Sequence, residues 1–548
     1  MFGSETGDRD FLTPVRPAHT SWFRSHGLDI VLHKSSAVPG FAESKWLMSL
    51  ASVLCGAVSV LAFAPFGLWP VLPVALALFF ILLFHTRTGF SAFCFGYLFG
   101  IGFFGCGTYW VFHSMHLFGG ASGVLAGFGT LVFVMIWSVI PAGFCVVAHR
   151  LIGRDFFWFV FIAPSLWLLS EWIRSWFLSG FPWLTIGYSS LHSPLAGFAP
   201  VGGAFLNSLL IALCSGLIAW SVHSRRVIAV VTSVVVMLLL SGAGYALKSI
   251  EWTQPLDRSV DVTMVQGNIE QELKFQPDLI EDSLGLYASL SETGAELVIW
   301  PETAVPALYS DVADWEREFS AKMAAAGTTV MSGGFTSNDD YSKFYNSIKV
   351  LDGTEEQLYV KRHLVPFGEY IPLRSIMSVF SEYIVLPLSD ISPGTGPVQP
   401  IEVNGVNYGM SICYEDVFGN EMRGQFPEAN VLVNISNDGW FGDSSAPHQH
   451  QEMAAMRSLE FGRPMLRATN TGISSLIDHL GNVVSQSPQF EAAAIDVTVI
   501  PREGVTPFVR FGDSLVLAIS VLMLSVGYLG SRRKRDPNDR PESNNRYK

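Results

Sequence analysis

Val406-Asn407-Tyr408-Gly409-Met410-Ser411-Ile412-Cys413-Tyr414-Glu415-Asp416 is a seven-residue run of strand character that stops on a thiol and passes straight into two acids. Cys413 is the only one of the six cysteines outside the long apolar stretches; Cys55, Cys94, Cys106, Cys145 and Cys214 all lie within them. A lone thiol has no partner for a disulfide within its own domain. It is therefore either a core residue, since free Cys is among the most buried side chains, or a nucleophile.

The surroundings of that strand define the class of protein. Of 548 residues, 49% are hydrophobic, 13% aromatic and only 15% charged, a composition of a chain largely embedded in a membrane. Seven apolar segments crowd the first half, at 46–63, 68–84, 90–113, 123–148, 156–178, 197–222 and 227–247, and an eighth runs over 514–529. Each is near the roughly 20 residues that a spanning helix needs. Between the seventh and eighth, residues 249–510 have ordinary polar composition, enough for one sizeable globular domain. The expected organisation is an N-terminal extension (1–44), a seven-helix bundle (45–248), the domain (249–510), an eighth helix (511–530) and a basic tail (531–548).

Short-loop charges set the orientation, because Lys and Arg resist transfer across a bilayer. Arg24, Lys34 and Lys45 precede the first segment, and Arg87, Arg150, Arg154, Arg225 and Arg226 occupy alternate loops. Loops such as 64–67 and 114–120 carry neither Lys nor Arg, and Ser531-Arg532-Arg533-Lys534-Arg535 follows the eighth segment. Both termini are thus expected in the cytoplasm and the 249–510 domain on the opposite face. Residues 1–43 have no small-residue cleavage site after an apolar core and read as a cytoplasmic extension, not a signal peptide. A net charge of −13, with no basic stripe interleaved with aromatics, argues against nucleic acid as a partner.

Within the domain, β-rich runs at 260–266, 296–300, 328–333, 348–351, 408–412, 431–435 and 472–477 alternate with helical stretches at 278–293, 310–326 and 449–463, which predicts an α/β layered fold. Trp300-Pro301-Glu302 and Ile412-Cys413-Tyr414-Glu415 sit where strands end, and Lys361-Arg362-His363-Leu364-Val365-Pro366-Phe367-Gly368-Glu369 lies in a loop. A thiol attacking an acyl carbonyl needs a base for its proton and a positive group for the developing oxyanion. Glu302, Lys361 and Cys413 are residue types that supply those roles, although spacing alone does not bring them together.

These three blocks, in this order, resemble the Glu, Lys and Cys blocks of the nitrilase (carbon–nitrogen hydrolase) superfamily. With the eight apolar segments, Val265-Gln266-Gly267-Asn268 and Asn437-Asp438-Gly439-Trp440-Phe441, the chain resembles the bacterial apolipoprotein N-acyltransferases over roughly 45–530. The resemblance implies an αββα sandwich in the periplasm, carried by a multi-pass protein of the inner membrane. It implies Cys413 as nucleophile, Glu302 as general base and Lys361 as oxyanion and charge stabiliser, supported by Glu369, Tyr414 and Glu415, with Phe275, Trp440 and Phe441 at the substrate. Many members place Trp after a Lys beyond the Gln-Gly segment; here Lys274 is followed by Phe275, which keeps an apolar face and loses an indole donor.

The implied reaction passes an acyl chain from a phospholipid through a Cys thioester to the α-amino group of a diacylglyceryl-cysteine apolipoprotein, the final step of lipoprotein maturation, with no cofactor and no metal. Glu369 and Glu415 are either proton carriers or groups that orient Lys361. His448-Gln449-His450 with Asp443 lacks a full metal-ligand set and fits a loop and helix start better. The apolar insert at 376–386 is expected to touch lipid or cover the site. The alternatives are a membrane-tethered amidase that uses water as acceptor and a catalytically silent lipoprotein receptor, the latter disfavoured by the intact blocks.

Overall fold

A computed structural model describes residues 44–352, 357–372 and 391–532. The insert at 376–386, and the extension and tail beyond 44 and 532, lie outside the described residues. All eight apolar segments are helical. Seven are long and apolar enough to cross a membrane: Lys45–Ala62, Gly89–Gly107, Gly123–Arg150, Asp155–Arg174, Pro194–Ser224, Val227–Lys248 and Ser514–Ser531. The second segment is helical only over Val71–Phe84. At 1.5 Å per residue it reaches about 21 Å, because the turn before it, ending on Pro70, uses up residues that the sequence pattern counted toward the span. Val227–Lys248 and Ser514–Ser531 are mostly unburied, exposing Ile228, Leu238, Leu239, Leu522 and Leu529, as expected of helices whose outer faces meet hydrocarbon and not water.

The domain is built on two six-stranded sheets. One contains β2 (Val260–Gln266), β3 (Leu297–Ile299), β4 (Thr329–Ser337), β5 (Phe344–Leu351), β6 (Leu358–Val360) and β13 (Ala493–Val499), in the order β13-β2-β3-β4-β5-β6. The other contains β7 (Ile401–Val403), β8 (Val406–Ile412), β9 (Val431–Ser436), β10 (Met465–Thr469), β11 (Ser475–Ile477) and β12 (Val483–Gln486), in the order β12-β11-β10-β9-β8-β7. A two-residue pair, β1 (Gln254–Pro255) with β14 (Arg502–Glu503), ties the two ends of the domain together. In each sheet the central strands β2-β3-β4 and β8-β9-β10 run parallel and the rims antiparallel.

The two-residue period of the strands assigns each side chain to a layer. Val262, Met264, Leu297 and Ile299 face Met410, Ile412, Val433 and Ile435 across the gap between the sheets. Their neighbours Val265, Val298 and Trp300 face outward under the helices Ile280–Leu290 and Ala313–Ala325, meeting Tyr287 and Phe319. On the far side Leu432, Met465 and Ile477 pack beneath the helix Ala446–Phe461, whose Met453, Met456 and Leu459 join one core with bundle residues Trp183, Leu184 and Leu206. The result is an αββα sandwich whose last helical layer is welded to the membrane helices.

Strands β6, β7, β10, β12 and β13, with the short β1–β14 pair, are absent from the sequence expectation. β13 alternates half-buried with exposed positions at a rim, so its hydrophobic signal is weak. β10 is fully buried yet carries Arg467 at its centre, a residue that argues against a core strand until its partners are known.

Candidate active site

The three blocks converge. Glu302 follows β3, Lys361 follows β6 and Cys413 follows β8, so all three stand at strand C-termini, two from one sheet and one from the other. The Lys361 Nζ lies 3.2 Å from Glu302 Oε1 and 2.9 Å from Glu369 Oε1. Lys361 is 1% exposed and Glu302 6%. Burial alone favours a neutral amine, but Glu302, Glu369 and Cys413 together outweigh it and hold the ammonium above its ordinary range.

Two groups to which the sequence reading gave no role complete this carboxylate–ammonium set. The Asn346 side chain, from β5, donates from Nδ2 to Glu302 Oε1 at 2.7 Å and to Glu369 Oε1 at 3.0 Å. The backbone N–H of Asn437, just after β9, donates to Glu302 Oε2 at 3.0 Å and so bridges the two sheets. A signal for Asn346 existed: Asn is poor in strands, and one fully buried mid-strand asks for a polar partner. Gly333 on β4 makes room for the Pro301–Glu302 turn, since a Cβ there would lie 2.4 Å from the Pro301 carbonyl.

Cys413 is 8% exposed and sits in the left-handed backbone region, at φ 52°, as does Thr303 beside Glu302, at φ 53°. Such conformations cost about 1–3 kcal/mol for a residue with a Cβ and persist only where the surroundings hold them. The Cys413 carbonyl is gripped by Asn434 Nδ2 at 3.2 Å, and the Glu302 carbonyl by the ammonium nitrogen of Lys274 at 3.2 Å. Lys274 is fully buried, and burial, opposed by Glu302, pulls its pKa down to about 7. Burial and then Glu302 push the Cys413 thiol well above its usual range, with Lys361 opposing. Burial at this position therefore favours the protonated thiol.

The supporting residues divide. Glu369 contacts Lys361 directly and also accepts the Val365 N–H at 2.8 Å. Glu415 instead accepts the N–H groups of Arg362 (2.7 Å), His363 (3.2 Å) and Ile412 (2.7 Å), and the Tyr359 hydroxyl (2.9 Å). It clamps the Lys361 loop to the Cys413 strand through the backbone. Tyr414 points away from the triad and donates its hydroxyl to the Gly180 carbonyl of the bundle at 3.1 Å.

Trp440 and Phe441 also face the bundle. Phe441 packs on Trp110 and Trp183, and the Trp440 carbonyl accepts the Ser114 hydroxyl at 2.8 Å. Phe275 is 36% exposed and rests on Phe335. His448 and His450 part company: His448 lines a cavity of about 450 Å³ with Leu61, Phe66, Tyr109, Asp443 and Ser445, while His450 is sealed beneath Cys413.

Two family models match the chain, the Apolipoprotein N-acyltransferase N-terminal domain over residues 55–217 and Carbon-nitrogen hydrolase over residues 261–505. The apolipoprotein N-acyltransferase of Nitrosomonas europaea is 39% identical over 494 residues, spanning 88% of this chain and 98% of that protein. Those of Methylococcus capsulatus and Vibrio cholerae are 38% and 34% identical, over 87% and 89% of this chain and 94% and 98% of theirs.

Proposed function

Since the chain belongs to the apolipoprotein N-acyltransferase family, we propose that it moves an acyl chain from a membrane phospholipid, through a thioester on Cys413, to the α-amino group of the diacylglyceryl-cysteine of an apolipoprotein. One observation carries the lipid side of this reading. Tyr414, the residue after the nucleophile, is hydrogen-bonded to Gly180 of the membrane bundle, so the thiol stands at the seam between membrane helices and domain. Both substrates are anchored in the bilayer and reach such a seam sideways. The cavity at the same junction has apolar walls at Leu61 and Phe66 and a polar end at Asp443 and Ser445, a lining that suits an amphipathic lipid.

In the proposed chemistry Glu302 takes the Sγ proton as the sulfur attacks the ester carbonyl. The ammonium of Lys361, with the N–H of Tyr414, stabilises the tetrahedral oxyanion. Glu302 returns the proton to the departing glyceryl oxygen, releasing lysophospholipid and leaving the thioester. The acceptor amine then attacks, Glu302 takes its proton, and the proton passes to the leaving sulfur, giving the amide and the free thiol. Glu369 and Asn346 keep Glu302 and Lys361 in register throughout. The alternating charges of the loops support a periplasmic domain, cytoplasmic termini and eight spans, the short Val71–Phe84 helix included.

The test uses a phospholipid radiolabelled in its acyl chains. Label should appear on the Cys413 peptide and move to a diacylglyceryl-cysteine peptide when that acceptor is added. Release as free fatty acid at a rate indifferent to the acceptor would mean that water is the acceptor, as in an amidase. Absence of label on Cys413 would remove the thioester.

A further inference from the structure

Beneath Cys413 lies a closed ionic cluster that the proposed proton transfers do not use. Asp416 comes from the turn after β8, Asp438 from the turn after β9, Arg467 from the middle of β10 and His450 from the helix Ala446–Phe461. None of the four is more than 2% exposed. His450 Nε2 lies 2.9 Å from Asp416 Oδ1, and its Nδ1 lies 3.1 Å from Asp438 Oδ1. Arg467 spans the same two carboxylates, with Nη1 3.2 Å from Asp416 Oδ2 and Nη2 3.0 Å from Asp438 Oδ2.

The cluster reaches the nucleophile in two ways. His450 Nε2 lies 3.3 Å from the Cys413 carbonyl oxygen, and Asn434, which donates to that same carbonyl at 3.2 Å, is itself held by Arg467 Nη1 at 2.6 Å. These contacts hold the left-handed turn at Cys413. Asp438 also acts on the sulfur electrostatically and pushes the thiol up, so whatever neutralises Asp438 eases formation of the thiolate.

Two carboxylates face one guanidinium, and the charges balance only when the imidazole is protonated. A neutral ring would point a lone pair at a carboxylate oxygen on one side or the other. The Arg467 Nη2 contact to His450 Nδ1, at 2.9 Å, favours the neutral ring, but it stands against carboxylates on both nitrogens. The charged groups facing His450 are Asp416, Asp438 and Arg467, and the remaining side is closed by the rings of Trp183 and Phe441. Burial and Arg467 pull its pKa down, yet Asp416 and the hydrogen bonds to Asp416 and Asp438 raise it to about 8.

We propose that His450 is a positioning residue whose imidazolium holds the Cys413 carbonyl and cancels the carboxylate charge beneath the sulfur, so that acylation is faster with His450 protonated. The proposal rests on the reading of Cys413 as the nucleophile. A positive charge that assists is present below its pKa and lost above it, so acylation declines as pH rises through the titration of His450.

The experiment follows acyl-enzyme formation on the full-length protein in detergent micelles containing phosphatidylglycerol, whose headgroup does not titrate in the range used. In parallel, alkylation of Cys413 by iodoacetamide is read on its peptide by mass spectrometry. The native acylation rate should fall about tenfold between about pH 7 and 9.5, the effect of about one pKa unit of lost charge stabilisation. His450→Gln should alkylate about tenfold more slowly at about pH 7 and lose the alkaline decline. A native rate that is flat or rising to about pH 9.5 would overturn the proposal, as would a folded His450→Gln protein that keeps the native profile or native alkylation rate; should that variant not fold, the native profile decides alone. If alkylation behaves as expected but no acyl-enzyme forms, the acyl-transfer reading fails and the role of His450 stands.

Discussion

Replacing Lys361 by Met removes the ammonium from between two buried carboxylates. Glu302 and Glu369 share both Lys361 and the Asn346 amide, so two negative groups would be left facing each other with only dipoles to hold them. Breaking a buried ion pair from one side costs about 3–5 kcal/mol. The carbon–nitrogen hydrolase region spans residues 261–505, and a domain of that size has an unfolding entropy of about 0.5 kcal/mol/K, so the domain's melting temperature should drop by about 6–10 °C. Acyl-enzyme formation should slow by about 10²–10³, the usual cost of losing one donor to a developing oxyanion. Thermal melts in detergent and intact-mass detection of the acylated protein read the two effects separately. Adding Glu369→Gln to Lys361→Met removes the surplus carboxylate and should restore more than half of the lost stability while activity stays absent, a coupling that a double-mutant cycle measures directly. An unchanged melting temperature in Lys361→Met, or acylation within tenfold of native, would refute the charge arrangement argued here.

Three further outcomes are expected. Cys413→Ser should insert and melt like the native protein but form no acyl-enzyme, because an alkoxide is far harder to generate than a thiolate near neutral pH; near-native turnover in Cys413→Ala would end the nucleophile's role. Glu302→Gln should leave Cys413 unacylated after incubation with phospholipid, and normal thioester accumulation would take the base away from Glu302. Glu452, in the helix Ala446–Phe461, accepts the Ala64 N–H at 3.3 Å, and burial pushes its carboxyl up to about 8. A raised acid contributes stability fully below its unfolded pKa and loses it as pH rises through the folded value. Glu452→Gln should therefore gain melting temperature over the native protein as pH rises from about 5 to about 8, with a constant difference above that; a difference independent of pH would contradict this.

How much was legible follows from what each signal measures. β2 was bounded correctly because Val260–Gln266 is apolar, β-rich and central, whereas the helix expected at 449–463 begins at Ala446 and stops at Phe461, because Gly462, at φ 62°, ends it. The blocks around Glu302, Lys361 and Cys413 could be marked from residue type and order. Apart from Glu369, their partners could not. Asn346 and Lys361 are joined by the β5–β6 pairing, where Ser347 opposes Val360, and Asn437 reaches Glu302 only because the ends of β3 and β9 approach across the gap between two sheets. Such neighbours are set by register and layer packing, and neither is written in any local window of the chain.

The same reasoning explains why the residues beneath Cys413 hid best. Arg467 and His450 look like ordinary surface residues, because burying a lone charge costs several kcal/mol. That cost is offset only by Asp416 and Asp438, which arrive from two other strand ends. A polar residue in an otherwise apolar strand is thus ambiguous when read alone: in β10 it weakened the strand signal, yet it marks the place where the fold concentrates its buried charge. Cys413 sits directly above that place, in a backbone conformation that its own sequence does not favour. The strain at the sulfur and the charge beneath it are two parts of one arrangement, because the groups that balance the charge also hold the strained carbonyl.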